Sequence, residues 1–339
     1  MIREEAGDNV RLLASHRDPH APVMHVADDT VLEPVVDRST PEGEAAYLAF
    51  CLELCAERGV DLFVAQKGRA FLAAHAQSFA AVGTKLLVPA DRATLKLIDD
   101  KARFYEAAVA ADIPMPWTRE ICDADGFDAA LAELEARRLA PCVKPPQGVF
   151  GGGFWKLNAK RRLFDTLMNP DGHEIAASVM RGAIAEASGK RLLVLEYLRG
   201  PEWSVDCVCK DGELIVGVGR RKLGRAQQLE VDGPIFDIAR KAIRAFGLSG
   251  LINVQCKAAE ADGSDVRLLE INSRMSGGCL YTQFSGVKLP WVHVGLEAGL
   301  ITRSDIPSPK GGALVSPSAE AYEIVTPQDA VGAERMNYA

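Results

Sequence analysis

Leu268-Leu-Glu-Ile-Asn-Ser-Arg274 carries two polar side chains inside an otherwise apolar run. Along a strand, side chains alternate between faces, so Glu270 and Asn272 point the same way. Gly250–Ala259 and Asp265–Asn272 form a hairpin around Asp262-Gly263, which lets Gln255 lie on that face of the neighbouring strand. Two amide oxygens and one carboxylate make a hard-oxygen cluster suited to magnesium, whose other ligands are waters and phosphate oxygens. The alternative is a polar sheet face, but Glu and Asn are expensive in an apolar strand if merely buried. Arg274 follows on the same face, and Ser276-Gly-Gly278 offers backbone donors.

Upstream lies Val194-Leu-Glu-Tyr-Leu-Arg-Gly-Pro-Glu202. An apolar strand ends in Glu196, turns through Gly200-Pro201 and presents a second acid, Glu202. Backbone groups in such a hinge can read an adenine edge, and a carboxylate can hold ribose hydroxyls. The alternative is a hairpin with two exposed acids. Earlier still, Pro141-Cys-Val-Lys144 precedes Gly148-Val-Phe-Gly-Gly-Gly153. The ammonium supplies charge, and glycines let backbone N–H groups approach phosphate oxygens. The lysine precedes the glycines and no GK[ST] follows, so this is not a Walker loop. The alternative is an ordinary mobile loop.

Lys101, Lys144, the glycine loop, Glu196–Glu202, Gln255 and Glu270–Arg274, in that order, resemble the layout of the ATP-grasp superfamily. The likeness is closest to one synthetase half of the carbamoyl-phosphate synthetase large subunit and to stand-alone carboxylate–amine ligases. It spans roughly residues 91–300. The resemblance implies that Lys101 and Lys144 contact ATP phosphates, Lys144 near the adenine end as well. Gly148, Gly151, Gly152 and Gly153 would belong to a lid over the phosphates. Glu196 and the Leu198 backbone would read adenine, and Glu202 would bind ribose. Gln255, Glu270 and Asn272 would hold one or two magnesium ions, with manganese as the substitute. Arg274 would stabilise the transferred phosphoryl group, and Arg220 and Arg221 would face the phosphate or the acid.

The implied activity is ATP-dependent activation of a small-molecule carboxylate as an acyl phosphate, then coupling to an amine. Amino-acid-like substrates and a homodimer are the family expectation. Alternatives are a ligase acting on a protein or carrier-bound substrate, or a nucleotide-binding sensor that has lost turnover. One synthetase-like unit is visible, so carbamoyl phosphate synthesis by two halves is not expected. Gln255 stands where many such ligases place a second acid, which weakens the case for two tightly held metals.

The surrounding chain sets the expected frame. Fold class is α/β (α+β): a small parallel-sheet α/β domain over residues 1–90, then a two-lobed ATP-grasp domain with antiparallel sheets over 91–310. The lid lobe spans about 113–195 and a loose tail 311–339. Apolar runs at Val10–Ala14, Asp61–Ala65 and Thr84–Val88 read as parallel strands, with helices over Glu42–Arg58 and Phe71–Ala80. Arg191–Tyr197, Trp203–Lys210 and Glu213–Gly219 read as three successive strands, the last two joined at Asp211-Gly212. His16–His20 and Gln66–Gly68 are either strand-end residues lining a cleft or surface turns.

Among 339 residues, 48% are apolar and 25% charged, the balance of a globular protein rather than a disordered one. Net charge is −7, which argues against a general nucleic-acid binder. No apolar stretch approaches the roughly 20 residues that span a bilayer. The N-terminal MIREEAGDN lacks a signal-peptide core, so a cytoplasmic location is expected, without membrane partners. The eight cysteines show no CxxC pair or metal spacing and read as small buried residues.

Overall fold

The computed structural model describes residues 1–148, 152–187 and 189–318. Gly151 and the tail from residue 319 onward lie outside the described residues.

The first strands pair in parallel, β1 (Leu13–His16) with β2 (Asp29–Leu32) and β3 (Leu62–Val64) with β4 (Lys85–Leu87). They form two separate two-stranded sheets. The sequence pointed to one sheet because β2, Asp-Thr-Val-Leu, is too short and mixed to register as a strand. Pairing with it satisfies β1 locally, so β1 does not join β3. The helix Pro41–Arg58 starts at Thr40, whose side chain accepts from the Gly43 amide. It ends at Gly59, left-handed at φ 59°, which glycine adopts without a Cβ penalty.

The single helix expected over Phe71–Ala80 is two, Arg69–Ala73 and Ala76–Ala81. The amides of Ala74 and His75 turn back to Phe71 and Leu72, three residues away, and so close the first helix. No glycine or proline announces that break. Asp91 caps the helix Arg92–Asp99, and Asp100 caps the next, Lys101–Ala110, accepting from the amides of Ala102 and Arg103. Lys101 is thereby fixed at a helix start.

A five-stranded sheet follows, in the order β5 (Thr118–Ile121), β9 (Leu192–Glu196), β6 (Pro141–Lys144), β7 (Trp155–Leu157), β8 (Glu174–Ile175). Helices Ala124–Ala136 and Ala177–Glu186 bury Phe127, Leu134, Met180 and Ile184 against Val143 and Val194 on one face. Cys142 and Leu195, of opposite parity, belong to the main core. The strand expected over Arg191–Tyr197 therefore exists, but in this sheet, not beside Trp203–Lys210. Its apolar run specified a strand, not a neighbour. The link to the next sheet passes Gly200, where an added Cβ would lie 2.0 Å from the Glu260 carbonyl oxygen. Only glycine fits that approach.

The second sheet is antiparallel, ordered β14 (Val266–Asn272), β13 (Gly250–Ala258), β10 (Glu202–Lys210), β11 (Glu213–Leu223), β12 (Ala226–Glu230), β15 (Leu314–Val315). β15 corrects the expectation of a loose tail at that point, since its backbone pairs with β12. Asp211 and Gly212 both have positive φ, as the tight hairpin requires. One face buries Trp203, Val205, Ile252, Val254, Leu268 and Ile271 in the core formed with helices Pro234–Ala245 and Lys101–Ala110. The other face is polar along Ser204, Asp206, Asn253, Gln255, Glu270 and Asn272. Beyond Asp206 it turns apolar at Val208, Val216 and Val218, which pack with residues of the helix Leu289–Glu297. No helix among the described residues is long and apolar enough to cross a membrane.

Candidate active site

A cavity of about 860 Å³ lies between the polar face of the six-stranded sheet and the five-stranded sheet. Its floor follows from strand register. Gln255 is opposite Glu270, and Asn253 is opposite Asn272. The pairing shifts between Gln255 and Cys256, where the partner jumps from Glu270 to Leu268 and leaves Leu269 as the extra residue. Simple alternation would put Leu268 and Glu270 on one face. The bulge turns Leu268 into the core, where it is fully buried, while Glu270 faces the cavity.

Two lysines reach this floor from different elements. Lys101 Nζ lies 4.0 Å from Glu270 Oε2 and donates to the Gly148 carbonyl at 2.9 Å. Lys144, at the end of β6, donates to the Tyr105 hydroxyl at 2.6 Å. Tyr105 in turn donates to the carbonyl of Leu269, the bulge residue, at 2.9 Å. Burial holds both ammonium groups below the ordinary lysine range, and the Glu270 carboxylate partly offsets it. Such a site gains when an anion restores the charge.

Asn272 Nδ2 lies 3.3 Å from Glu270 Oε1 and 3.4 Å from Asn253 Oδ1. Among the described residues, no group of three or more His, Cys, Asp and Glu converges as a metal cage. One carboxylate with the amides of Gln255 and Asn272 fits a magnesium ion that arrives on phosphate oxygens, not one held by protein alone.

Glu196, Leu198 and Glu202, the residues expected to read the nucleoside, all line the cavity. The Glu196 carboxylate is already engaged: it is buried, accepts from the Trp117 amide at 3.2 Å and pairs with Arg267. Glu202 pairs with Lys222 and lies 3.9 Å from Lys257. Gly148 also lines the cavity. Gly153 has φ 76° and packs against Pro145, where a Cβ would come within 2.9 Å. Gly152 precedes it, and Gly151 is outside the described residues. Cys142 lines the cavity too, with its thiol pushed up to about 12 by burial, which makes it inert. Seven of the eight cysteines are buried and all are free, as their scatter suggested.

The adjacent arginines separate. Arg220 lines the cavity but is buried in a closed network. It donates to Asp206 Oδ2 at 2.7 Å, to Gln227 Oε1 at 2.5 Å and to Ser276 Oγ at 2.9 Å. Asp206 Oδ1 also accepts from Asn253 at 3.0 Å and Ser276 at 2.7 Å. Arg221 points to the opposite face, its guanidinium 5.6 Å from the Trp203 ring centroid. The expectation that it faces phosphate is corrected, because consecutive strand residues cannot share a face. Arg274 is half-buried, donates to the Met275 carbonyl at 3.1 Å and lines the cavity.

Sequence reasoning missed Tyr105, Asp206 and Asn253. Asp206 and Asn253 carried a signal: each is a polar residue two positions from another polar residue of an apolar strand, Ser204 and Gln255. Tyr105 carried none. Of the undecided segments, Gln66 lines a second cavity, whereas His16 to His20 form a local turn in which Asp18 accepts from the His20 amide.

A family profile described as "ATP-grasp in the biosynthetic pathway with Ter operon" matches residues 188–321. No curated protein matches the chain in sequence. Several solved structures share its fold. An ADP complex of N5-carboxyaminoimidazole ribonucleotide synthetase is 16% identical, with a TM-score of 0.59 over 89% of this chain and 72% of that one. The biotin carboxylase domain dimer of Hydrogenobacter thermophilus 2-oxoglutarate carboxylase, with MgADP, ADP and bicarbonate, is 18% identical. Its TM-score is 0.58, over 92% of this chain and 69% of that one. N5-carboxyaminoimidazole ribonucleotide synthetase from Thermus thermophilus is 14% identical, at 0.60 over 90% and 76%.

Proposed function

The chain has the ATP-grasp fold, and from that premise we propose that it is an ATP-dependent ligase. It phosphorylates a small-molecule carboxylate and couples the acyl group to an amine, with amino-acid-like substrates. The observation that carries this reading is the meeting of Lys101, Lys144 and Glu270 at one bulge in the cavity floor. The alignment of that fold with nucleotide-bound structures supports ATP as the ligand.

A carboxylate is a poor electrophile, since its leaving group would be oxide. In the reaction proposed, a carboxylate oxygen attacks the γ-phosphorus and the bond to the β,γ-bridging oxygen breaks. ADP leaves and an acyl phosphate remains. The amine then attacks the carbonyl, phosphate departs and the amine loses a proton. Catalysis is positioning and charge neutralisation, without a protein nucleophile. Lys101 and Lys144 neutralise phosphate oxygens, and Arg274 meets the transferred group. Gln255, Glu270 and Asn272 would hold magnesium, which would supply positive charge to offset the negative charge of the phosphates. Arg220, tied to Asp206, holds the Ser276–Gly278 backbone in place. The hinge at Glu196–Glu202 holds the nucleoside, and the Gly148–Gly153 loop excludes water that would hydrolyse the acyl phosphate.

In this reading residues 1–90 and the part from 91 onward serve as substrate and ATP units, with residues 113–195 as the lid. A homodimer and a cytoplasmic location remain part of the proposal. The test mixes protein and Mg-ATP with panels of carboxylic acids and amines, and measures ADP and phosphate. Acid-dependent ADP release is expected. ATP binding with no acid-dependent release across a broad panel would sink the ligase and leave a nucleotide sensor.

A further inference from the structure

A second cavity, of about 470 Å³, lies between the β3–β4 pair and the helix Leu289–Glu297. That helix turns Pro290, His293, Val294 and Glu297 towards it, positions i, i+3, i+4 and i+7 of one face. One stretch of chain divides it from the first cavity. Asn272 and Ser276 line the first, Ser273 and Met275 line the second, and Arg274 lines both. The exit of β14 is therefore a wall shared by the two.

Its charged groups balance and lie at the rim. Lys85 and Lys210 are half exposed and Asp211 is exposed. Glu297 sits between the two lysines, 2.6 Å from Lys85 and 3.6 Å from Lys210. Two cations and two anions leave no net charge there. Arg274, at the shared wall, has partners of its own. Inside the rim the walls are apolar, with Ala65, Leu87, Leu251 and Pro290 all buried. A charged ligand entering there would lose its hydration without gaining a counter-charge.

One polar side chain stands within this apolar wall. His293 is 7% exposed and lines the cavity. Among the described residues, no hydrogen bond, ion pair or ring contact engages its imidazole. Buried polar side chains ordinarily have a partner. Burial pushes the ring's pKa down, against the pull of Glu297 one turn along the helix. The ring is therefore neutral, with one nitrogen to donate and one to accept. Its Nε2 stands over Gly250, where an added Cβ would come within 3.2 Å, so glycine leaves that end of the ring uncovered. We propose that the second cavity binds a small, uncharged, largely apolar molecule whose hydroxyl bonds the His293 ring. A hydroxyl both donates and accepts, so it matches either nitrogen. The hydrocarbon part covers Leu87 and Leu251. This site stands apart from the ligase reading, since it needs neither nucleotide nor turnover.

The experiment is an NMR titration of the full chain, without nucleotide. The probes are benzyl alcohol, para-cresol and cyclohexylmethanol. Toluene is the analogue without a hydroxyl, and phenylacetate and benzylammonium are the charged counterparts. At least one alcohol should bind at millimolar concentration or below and shift the His293 ring signals, identified by their loss in His293→Phe. That variant keeps a ring but loses the hydrogen bond. It should bind the alcohol about tenfold more weakly, a difference of about 1.4 kcal/mol, and toluene at least as tightly as before. His293→Gln keeps a donor and an acceptor and should retain the alcohol. Val294→Trp fills the cavity from its apolar wall and should weaken every probe. Thermal melts show which variants are folded. An alcohol that leaves the His293 signals unmoved, equal losses of alcohol and toluene in His293→Phe, or tighter binding of a charged counterpart would overturn the inference. Alcohol binding without acid-dependent ADP release removes the ligase reading alone.

Discussion

The Tyr105 hydroxyl accepts a hydrogen bond from Lys144 Nζ at 2.6 Å. The same oxygen donates to Leu269, so one buried group holds both a lysine of the five-stranded sheet and the bulge that aims Glu270. Tyr105→Phe keeps the ring but removes both bonds. A hydrogen bond to a charged group is worth about 1.5–3 kcal/mol, so kcat should fall roughly 10- to 100-fold. KM for ATP should change less, because Lys101 is untouched. Steady-state kinetics beside a thermal melt separates this from misfolding, and an unchanged kcat would remove Tyr105 from the machinery.

The buried lysines set a pH dependence whose sign differs between stability and binding. Burial lowers the Lys144 pKa, so the unfolded chain keeps that proton to higher pH than the folded one. Stability should rise with pH between the lowered folded value and the unfolded value of about 10.4. ATP binding needs the charged form and should weaken over the same window, beginning below the ordinary lysine range. Melting temperature and ATP affinity measured across alkaline pH should move in opposite directions. Lys144→Met should flatten both.

Two neighbouring glycines make an internal control. A Cβ at Gly278 would lie 2.3 Å from Arg220 Nη1, whereas one at Gly277 meets nothing within 4 Å. Arg220 cannot retreat, since Asp206, Gln227 and Ser276 hold it. Gly278→Ala should cut activity at least about tenfold, or about 1.4 kcal/mol in the barrier. Gly277→Ala should leave it near the original value. Equal activity in both variants would show that the Arg220 network does not position the site.

The Asp206–Arg220 pair is buried on both sides, with side-chain exposures of 0% and 4%, which makes it costly to break from one side. Asp206→Ala leaves a buried guanidinium without its counter-charge. A loss of about 3–5 kcal/mol in urea unfolding is expected. Replacing both partners, Asp206→Leu with Arg220→Met, should restore much of that stability but not activity. A double variant no more stable than Asp206→Ala would refute the pairing argument.

Glu270 is half-buried and faces the cavity, so its removal should spare the fold. Glu270→Ala should abolish turnover with little change in melting temperature. Near-normal activity in that variant would end its assignment as the carboxylate of the magnesium set.

Legibility followed the range of the interaction. The polar pair Glu270 and Asn272 could be found because a charged residue inside an apolar strand is conspicuous locally. The helix starts at Asp91 and Asp100 are set by capping chemistry, which acts within three residues. The helix break at Ala74–His75 was hidden, since its residues favour helix and tertiary packing decided it. Tyr105 was hidden because its partners lie 39 and 164 residues away.

The sequence by itself determined that Leu268–Arg274 is a strand and its exit, with Glu270 and Asn272 on one side, because alternation is a property of the extended backbone. It also determined that lysines and a glycine loop precede that strand in a set order. Only the tertiary structure decided that Arg220 enters the site while Arg221 leaves it, and that Leu268 turns inward. Both depend on strand register, and the second on a bulge. Register is chosen by burial of whole faces against helices far off in sequence, and no local pattern records that choice.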